Sequence, residues 1–303
     1  MLEAKNLRKA YGDVVAVDGL SFVARPGEIF GLIGPNGAGK TTSIRMAMNI
    51  IAPDSGEILI GGHRLTEEDK AKIGYLPEER GLYRKAKVEE MLLYLASLKG
   101  MTETAARKSI GLWLERFGLG EWKGRKIDEL SKGMAQKVQF IGTVLHDPEL
   151  VLFDEPFSGL DPLSQDALLT AMLELRARGA TVLFSTHIME HAEKICERIL
   201  LVDKGKEVVT GSLAEVKSRY GRNAVQIEFD GDASFVSGLG FVENATAYPR
   251  WIEVELKPGA DPDDLFRAVA GRLRVRRFEV VAPSLHKIFI RLVGGGTGEA
   301  ENE

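Results

Sequence analysis

Gly34-Pro35-Asn36-Gly37-Ala38-Gly39-Lys40-Thr41 decides how this chain folds. The stretch matches in full the phosphate-binding loop pattern, Gly-x-x-x-x-Gly-Lys-Ser/Thr. It follows a short apolar strand, Ile29 to Ile33, and opens a helical pattern carrying Ile44, Met46, Ala47 and Ile50. That strand-loop-helix context is the one the motif requires. Its glycines let the backbone curl until successive N–H groups point at phosphate oxygens. The helix behind it adds the positive end of its dipole. Lys40 offers a full charge to the β- and γ-phosphates, and Thr41 offers a hydroxyl to Mg2+. A Gly-rich turn that binds nothing is the bland alternative, and the agreement of motif, strand and helix weighs against it. Gly34, Gly37 and Gly39 do not have the Gly-x-Gly-x-x-Gly spacing of a dinucleotide loop.

Downstream, Val151-Leu152-Phe153-Asp154-Glu155-Pro156 is an apolar strand that delivers two carboxylates to its carboxyl end. Ligands sit at that end of the strands in open α/β sheets. Asp154 is placed to hold Mg2+ through water, and Glu155 to orient or deprotonate an attacking water. Alone, such a pair is weak evidence, since capping the next helix would also explain it; behind a phosphate loop it reads as the second half of a nucleotide site.

Around these two elements the chain divides. Up to about residue 215, apolar strand-like runs alternate with helical patterns, Val182 to Phe184 among them, which predicts an α/β domain with strands buried on both faces. Between 86 and 146 the pattern is helical, with Val88, Met91, Leu92, Leu95 and Leu98, then less regularly Leu112, Leu114 and Phe117, and predicts an inserted helical subdomain. Residues 216–293 read differently. Val225, Ile227 and Phe229 alternate with polar residues, as do Ile252, Val254 and Leu256. With a short helix at 234–239, a strand near Phe241, a helix carrying Leu265, Phe266, Val269 and Leu273, and a strand at 275–281, the order is β-α-β-β-α-β, the ferredoxin-like order of a small α+β domain. Ser284 is placed to cap a last helix, and the Gly-rich acidic tail 294–303 is expected to be disordered.

Composition bounds the rest. The 303 residues suit one large domain and a smaller one, and a formal net charge of -4 does not indicate bulk attraction to nucleic acid. A single cysteine, Cys196, excludes a disulfide framework within the chain, and its apolar neighbours mark it as a small buried hydrophobe. No uncharged apolar run reaches the ~18–20 residues that span a bilayer, and the N-terminus lacks a signal-peptide apolar region. The expected place is the cytoplasm, so a membrane role needs a partner.

Further motifs carry a family resemblance. Across residues 1–215 the chain resembles the ATP-binding subunits of ATP-binding-cassette (ABC) transporters. The signature loop of that family corresponds to Leu130-Ser131-Lys132-Gly133-Met134, the loop after the magnesium strand to Ser158-Gly159-Leu160-Asp161, and the switch histidine to His187 in Ser185-Thr186-His187. Tyr11 stands where the family places an aromatic that stacks on adenine. Residues 216–293 more loosely resemble the accessory domain of a subgroup similar to sodium-efflux and bacitracin-resistance ATPases. The resemblance implies that Gly34, Asn36, Gly37, Ala38, Gly39, Lys40, Thr41 and Thr42 cradle ATP. It implies Mg2+ at Thr41, Asp154 and Glu78, with Glu155, His187 and Lys40 catalytic. Two subunits would meet head to tail as a homodimer, with Ser131 and Gly133 of one on the nucleotide of the other and Asp161 linking the sites. A separate integral membrane permease, in an exporter, would use the hydrolysis. The family usually has Gln where this chain has Glu78, and Glu79 is an equally near replacement. Lys132 and Met134 stand where Gly and Gln are commonest. The loop from Tyr75 to Tyr83 would couple the site to the permease through its tip, Leu82–Tyr83, unless that tip packs inward. A soluble non-transport cassette ATPase, regulatory or associated with nucleic acid, is the competing class. Those acting on chromosomes place a very long coiled coil between the two ATP motifs, and no sustained heptads occur here.

Overall fold

The computed structural model describes residues 1–79, 81–220, 224–257, 259–281 and 283–294. They form two compact units, Met1–Leu213 and a second that starts at Ala214.

In the first unit, β1 (Leu2–Tyr11) pairs antiparallel with β2 (Val14–Ala24) and with β4 (Ser55–Ile60) in a three-stranded sheet. The main sheet has six strands. β3 (Ile29–Ile33) lies between β7 (Thr181–Thr186) and β8 (Arg198–Asp203); β6 (Leu150–Asp154) is beside β7, and β5 (Ile73–Leu76) is beside β6. These pairs are parallel, and β9 (Lys206–Ser212) closes the β8 edge antiparallel. Every residue of β3, β6 and β7 is buried. That accounts for their continuous apolar runs, since helices cover both faces of such sheets. The order sets the carboxyl ends of β3, β6 and β7 side by side, so the phosphate loop, the acidic pair and the Ser-Thr-His segment converge.

Helix α1 (Lys40–Ala47) follows the phosphate loop. The pattern that extends to Ile50 overshoots it. Asn49 takes φ 53°, a left-handed conformation that cannot continue a helix, and Ile50 is exposed. The stretch expected to be a helical subdomain holds α2 (Val88–Leu98), α3 (Glu103–Arg116) and α4 (Lys132–Val144). Thr102 and Ser131 cap α3 and α4 with their side-chain oxygens. Leu98 and Leu112, counted on the apolar faces, are instead exposed. Trp113, Phe117, Phe140 and Phe153 form one aromatic cluster, with the rings of Phe140 and Phe153 stacked at 5.1 Å. It fixes α4 against the strand residue just before Asp154. Two further helices, α5 (Pro162–Ala177) and α6 (Met189–Ile195), complete this unit, and α7 (Leu213–Tyr220) starts at its boundary. Cys196 ends α6, buried against Gly31 of β3, where a Cβ would come within 2.7 Å of its sulfur.

The second unit runs β10 (Ala224–Asp230), a 3-10 turn at Ser234–Gly238, β11 (Val242–Ala247), β12 (Trp251–Leu256), α8 (Pro262–Ala270), β13 (Arg274–Val281) and α9 (Leu285–Gly294). The expected short helix is thus one 3-10 turn. The sheet is antiparallel throughout, in the order β11-β12-β10-β13. Val225, Ile227, Ile252 and Val254 point into a core with Leu265 and Val269 of α8, while Phe266 and Val280 are exposed. Ser284 accepts a hydrogen bond from the Lys287 amide at 3.3 Å, the expected cap. Gly294 closes α9, and the rest of the expected acidic tail, 295–303, lies outside the described residues.

Candidate nucleotide site

The phosphate loop is shaped by close backbone approach. Gly39 has φ 99°, and a Cβ there would stand 2.3 Å from the Ala16 carbonyl oxygen. A Cβ on Gly34 would stand 2.1 Å from that of Val202. No side chain fits at either position, so the two neighbouring strands dictate glycine. Asn36 and Gly37 lie exposed at the crest of the loop, Ala38 and Gly39 are buried beneath it, and Thr42 is half-buried on the first turn of α1.

Lys40 is 5% exposed; its ammonium donates to the carbonyls of Gly34 at 2.8 Å and Pro35 at 3.0 Å. It also stands 3.4 Å from Glu155 Oε1. Glu155 reaches it from a strained backbone. Its φ of 49° lies in the left-handed region that a Glu rarely occupies, a kind of strain that clusters at functional sites. The other carboxylate oxygen is 3.0 Å from Nδ1 of His187. The Thr41 hydroxyl donates to Asp154 Oδ1 at 3.1 Å. Lys40, Thr41, Asp154, Glu155 and His187 thus form one connected cluster.

Ser185 completes it. This fully buried residue near the end of β7 donates to Asp154 Oδ1 at 2.6 Å and accepts from the Glu155 amide at 3.0 Å, holding the Asp154 carboxylate and the Glu155 backbone in place. Sequence reading gave Ser185 no role. The available signal was a hydroxyl residue at the end of an otherwise apolar, doubly buried strand. Arg45 and Gln139 were missed as well. Arg45 binds the Glu79 carboxylate and holds its pKa down. Gln139 donates to the loop that carries Glu78.

The electrostatics separate the two glutamates. Glu79 is committed to Arg45. Glu78 has its pKa pushed up by partial burial and by the charges of Asp154 and Glu155. Burial also lifts Asp154, against the hydrogen bonds from Ser185 and Thr41. Asp154 Oδ2 is buried and has no hydrogen-bond partner among the described residues, while Glu155 Oε1 faces the Lys40 ammonium. An unpartnered carboxylate oxygen beside a threonine hydroxyl suits a hard divalent cation with oxygen ligands.

The remaining expected site residues lie outside this cluster. Ser131 is exposed at the start of α4 and accepts from the Met134 amide at 3.2 Å. Gly133 lies against the 158–161 loop, where a Cβ would be 3.7 Å from Leu160. Asp161 caps α5 through the amide and hydroxyl of Ser164, which lower its pKa. Tyr11 is 51% exposed, with the Lys9 ammonium 5.7 Å from its ring. His63 pairs with Asp69, and His191 contacts Gln165 and Phe157.

Comparison with known proteins agrees with this geometry. The family model "ABC transporter" matches residues 17–158, which run from β2 through the acidic pair. The ABC transporter ATP-binding protein YhaQ of Bacillus subtilis (strain 168) is 43% identical over 294 residues, covering 97% of this chain and 99% of its own length. This chain belongs to the ABC transporter ATP-binding proteins. As in that family, it is an ATPase subunit that binds nucleotide on the cassette fold. The Nod factor export ATP-binding protein I of Burkholderia orbicola (strain AU 1054) is 32% identical over 97% of each chain. A solved structure described as the ATP binding subunit of an ABC transporter has a TM-score of 0.68 and 35% identity, over 73% of this chain and 93% of its own. Residues 211–293 match a second model, the C-terminal domain of DrrA1-3-like ATP-binding proteins. Among the described residues of this ABC subunit, no helix is long and apolar enough to cross a membrane.

Proposed function

We propose that the chain is the hydrolytic subunit of an exporter, working as a head-to-tail pair on the inner face of the membrane beneath a separate permease. The observation that carries this is the connected cluster of Lys40, Thr41, Asp154, Glu155 and His187, with the buried, unpartnered Oδ2 of Asp154. Export as the direction is supported by the likeness to a Nod factor export protein over nearly the whole chain.

Phosphoryl transfer asks mainly for positioning and charge neutralisation. The loop from Gly34 to Thr42 presents amides to the phosphates, and Lys40 exchanges its two loop carbonyls for β- and γ-phosphate oxygens. Thr41 and Asp154, with Glu78 at the edge, would hold Mg2+. When bound, that ion would supply charge neutralisation to the phosphates. Glu155 accepts the proton of the attacking water, and His187 fixes its other oxygen and meets the γ-phosphate. Exposed Tyr11 offers its face to adenine. Ser131 and Gly133, at the free start of α4, meet the nucleotide of the partner subunit. Asp161 anchors the neighbouring loop and would link the two sites. Binding then favours the closed pair and hydrolysis releases it.

The permease would grip the loop that ends at Tyr83, a residue 64% exposed whose ring lies 6.1 Å from that of the less exposed Tyr94. Residues 216–293 would be an accessory domain for regulation or dimer support. The test is recovery from membranes. A tagged chain extracted in detergent should bring with it a multi-span membrane protein, and its ATPase rate should rise in that complex. Recovery from the soluble fraction alone, at an unchanged rate, would refute the transport role.

A further inference from the structure

Helix α4 carries a buried amide that reaches the loop behind β5. Gln139 is 6% exposed, and its Nε2 donates to the carbonyls of Pro77 at 3.4 Å and Glu79 at 3.1 Å. The two bonds straddle Glu78. One turn further along α4, Thr143 donates to the Tyr75 carbonyl at 3.4 Å. On the other side of the loop, Arg45 of α1 takes the Glu79 carboxylate. The backbone on both sides of Glu78 is therefore tied down.

Packing does not account for the amide. Gln139 Oε1 is buried without a hydrogen-bond partner among the described residues, and such an orphan costs about 1–3 kcal/mol. An apolar side chain of the same length would fill the space without that penalty. What it would lose is the pair of donors.

We propose that Gln139 is a positioning residue that fixes Glu78 at the metal edge of the nucleotide site from the helix whose other end carries Ser131. The inference rests on the reading of Glu78 as a metal-side carboxylate. Gln139 and Ser131 share α4, so a displacement of that helix on the partner's nucleotide reaches the carbonyls of Pro77 and Glu79 and sets where Glu78 stands. The acceptance of a metal ion in one site is then tuned by a residue of the helical subdomain that touches neither metal nor nucleotide.

The experiment is Mn2+ binding to the full chain, loaded with a non-hydrolysable ATP analogue and read by electron paramagnetic resonance. Gln139→Met and Gln139→Leu keep the volume and remove the donors. Each should weaken Mn2+ binding about three- to tenfold, the fold-change of one or two neutral hydrogen bonds. Metal-free thermal stability should hold or rise, which separates positioning from a general packing defect. Glu78→Ala should weaken Mn2+ as well, and the double variant with Gln139→Met should be no weaker than Glu78→Ala alone, because Gln139 acts through Glu78. An unchanged affinity in both Gln139 variants, or losses that add to Glu78→Ala, would overturn the inference. A Glu78→Ala chain that binds Mn2+ normally would instead remove the reading it rests on. Neither readout needs turnover, so an inactive wild-type chain would count against the ATPase mechanism and leave this result standing.

Discussion

Ser185→Ala is the sharpest perturbation that the site geometry offers. The hydroxyl is fully buried and bonded twice, to Asp154 Oδ1 at 2.6 Å and to the Glu155 amide at 3.0 Å. Its loss removes a charge-assisted bond worth about 1.5–3 kcal/mol and strands a buried amide, which costs about 1 kcal/mol or more. A total of about 3 kcal/mol lowers the melting temperature of a unit of this size by roughly 6–12 °C. The deficit depends on pH with a definite sign. Burial raises Asp154 above its ordinary value, so the penalty for its charge is absent below that ordinary value, grows as pH rises from it to the raised pKa, and is fully present above. The Ser185 bond offsets that penalty only while the carboxylate is ionised. Calorimetry in EDTA should therefore show the largest deficit in mildly alkaline buffer and a smaller one in acid. A melting temperature within about 1 °C of wild type in alkaline buffer, or a deficit that grows in acid, would refute the reasoning.

Three other outcomes follow from the same geometry. Lys40→Ala removes the buried cation of the phosphate loop, so ATP should bind at least about tenfold more weakly by calorimetry and hydrolysis should stop; unchanged affinity would mean that the loop is misread. A chain ended after Ser212 keeps every residue of the clustered site, so it should still bind ATP if it stays folded. A folded truncation that binds none would show that the cassette depends on the second unit. Tyr83→Ala should leave the basal ATPase rate of the isolated chain alone and reduce both recovery with the membrane subunit and stimulation by it; normal recovery and stimulation would place the docking surface elsewhere.

The parts of the site that were legible in the sequence are those in which the chain places function next to a strand end. Gly34 to Thr41 and Val151 to Glu155 are contiguous, and the rule that ligands gather at carboxyl ends of parallel strands brings them together without coordinates. The alternation of Val225, Ile227, Ile252 and Val254 likewise fixes which face of the second unit is buried. Illegible were the residues that act across the fold. Ser185 matters because β7 lies beside β6, and Gln139 because α4 crosses the loop behind β5. Neither is adjacent in sequence to what it holds. The choice between Glu78 and Glu79 was open for the same reason, because it turns on Arg45, more than thirty positions earlier, taking one of them. The overrun of α1 to Ile50 came from reading apolar spacing through Asn49, whose left-handed backbone ends the helix.

The central claim is that Glu155, held between Lys40 and His187, drives hydrolysis in an ATP-closed pair of subunits. The most direct measurement is light scattering on size-exclusion-separated Glu155→Gln protein with and without MgATP, alongside its turnover rate. The substitution keeps shape and removes the base. Turnover should fall by about 10²–10⁴-fold while ATP binding persists, and the chain should move from monomer to dimer when ATP is added. A variant that hydrolyses ATP near the wild-type rate, or that binds ATP tightly and stays a monomer, would contradict the account.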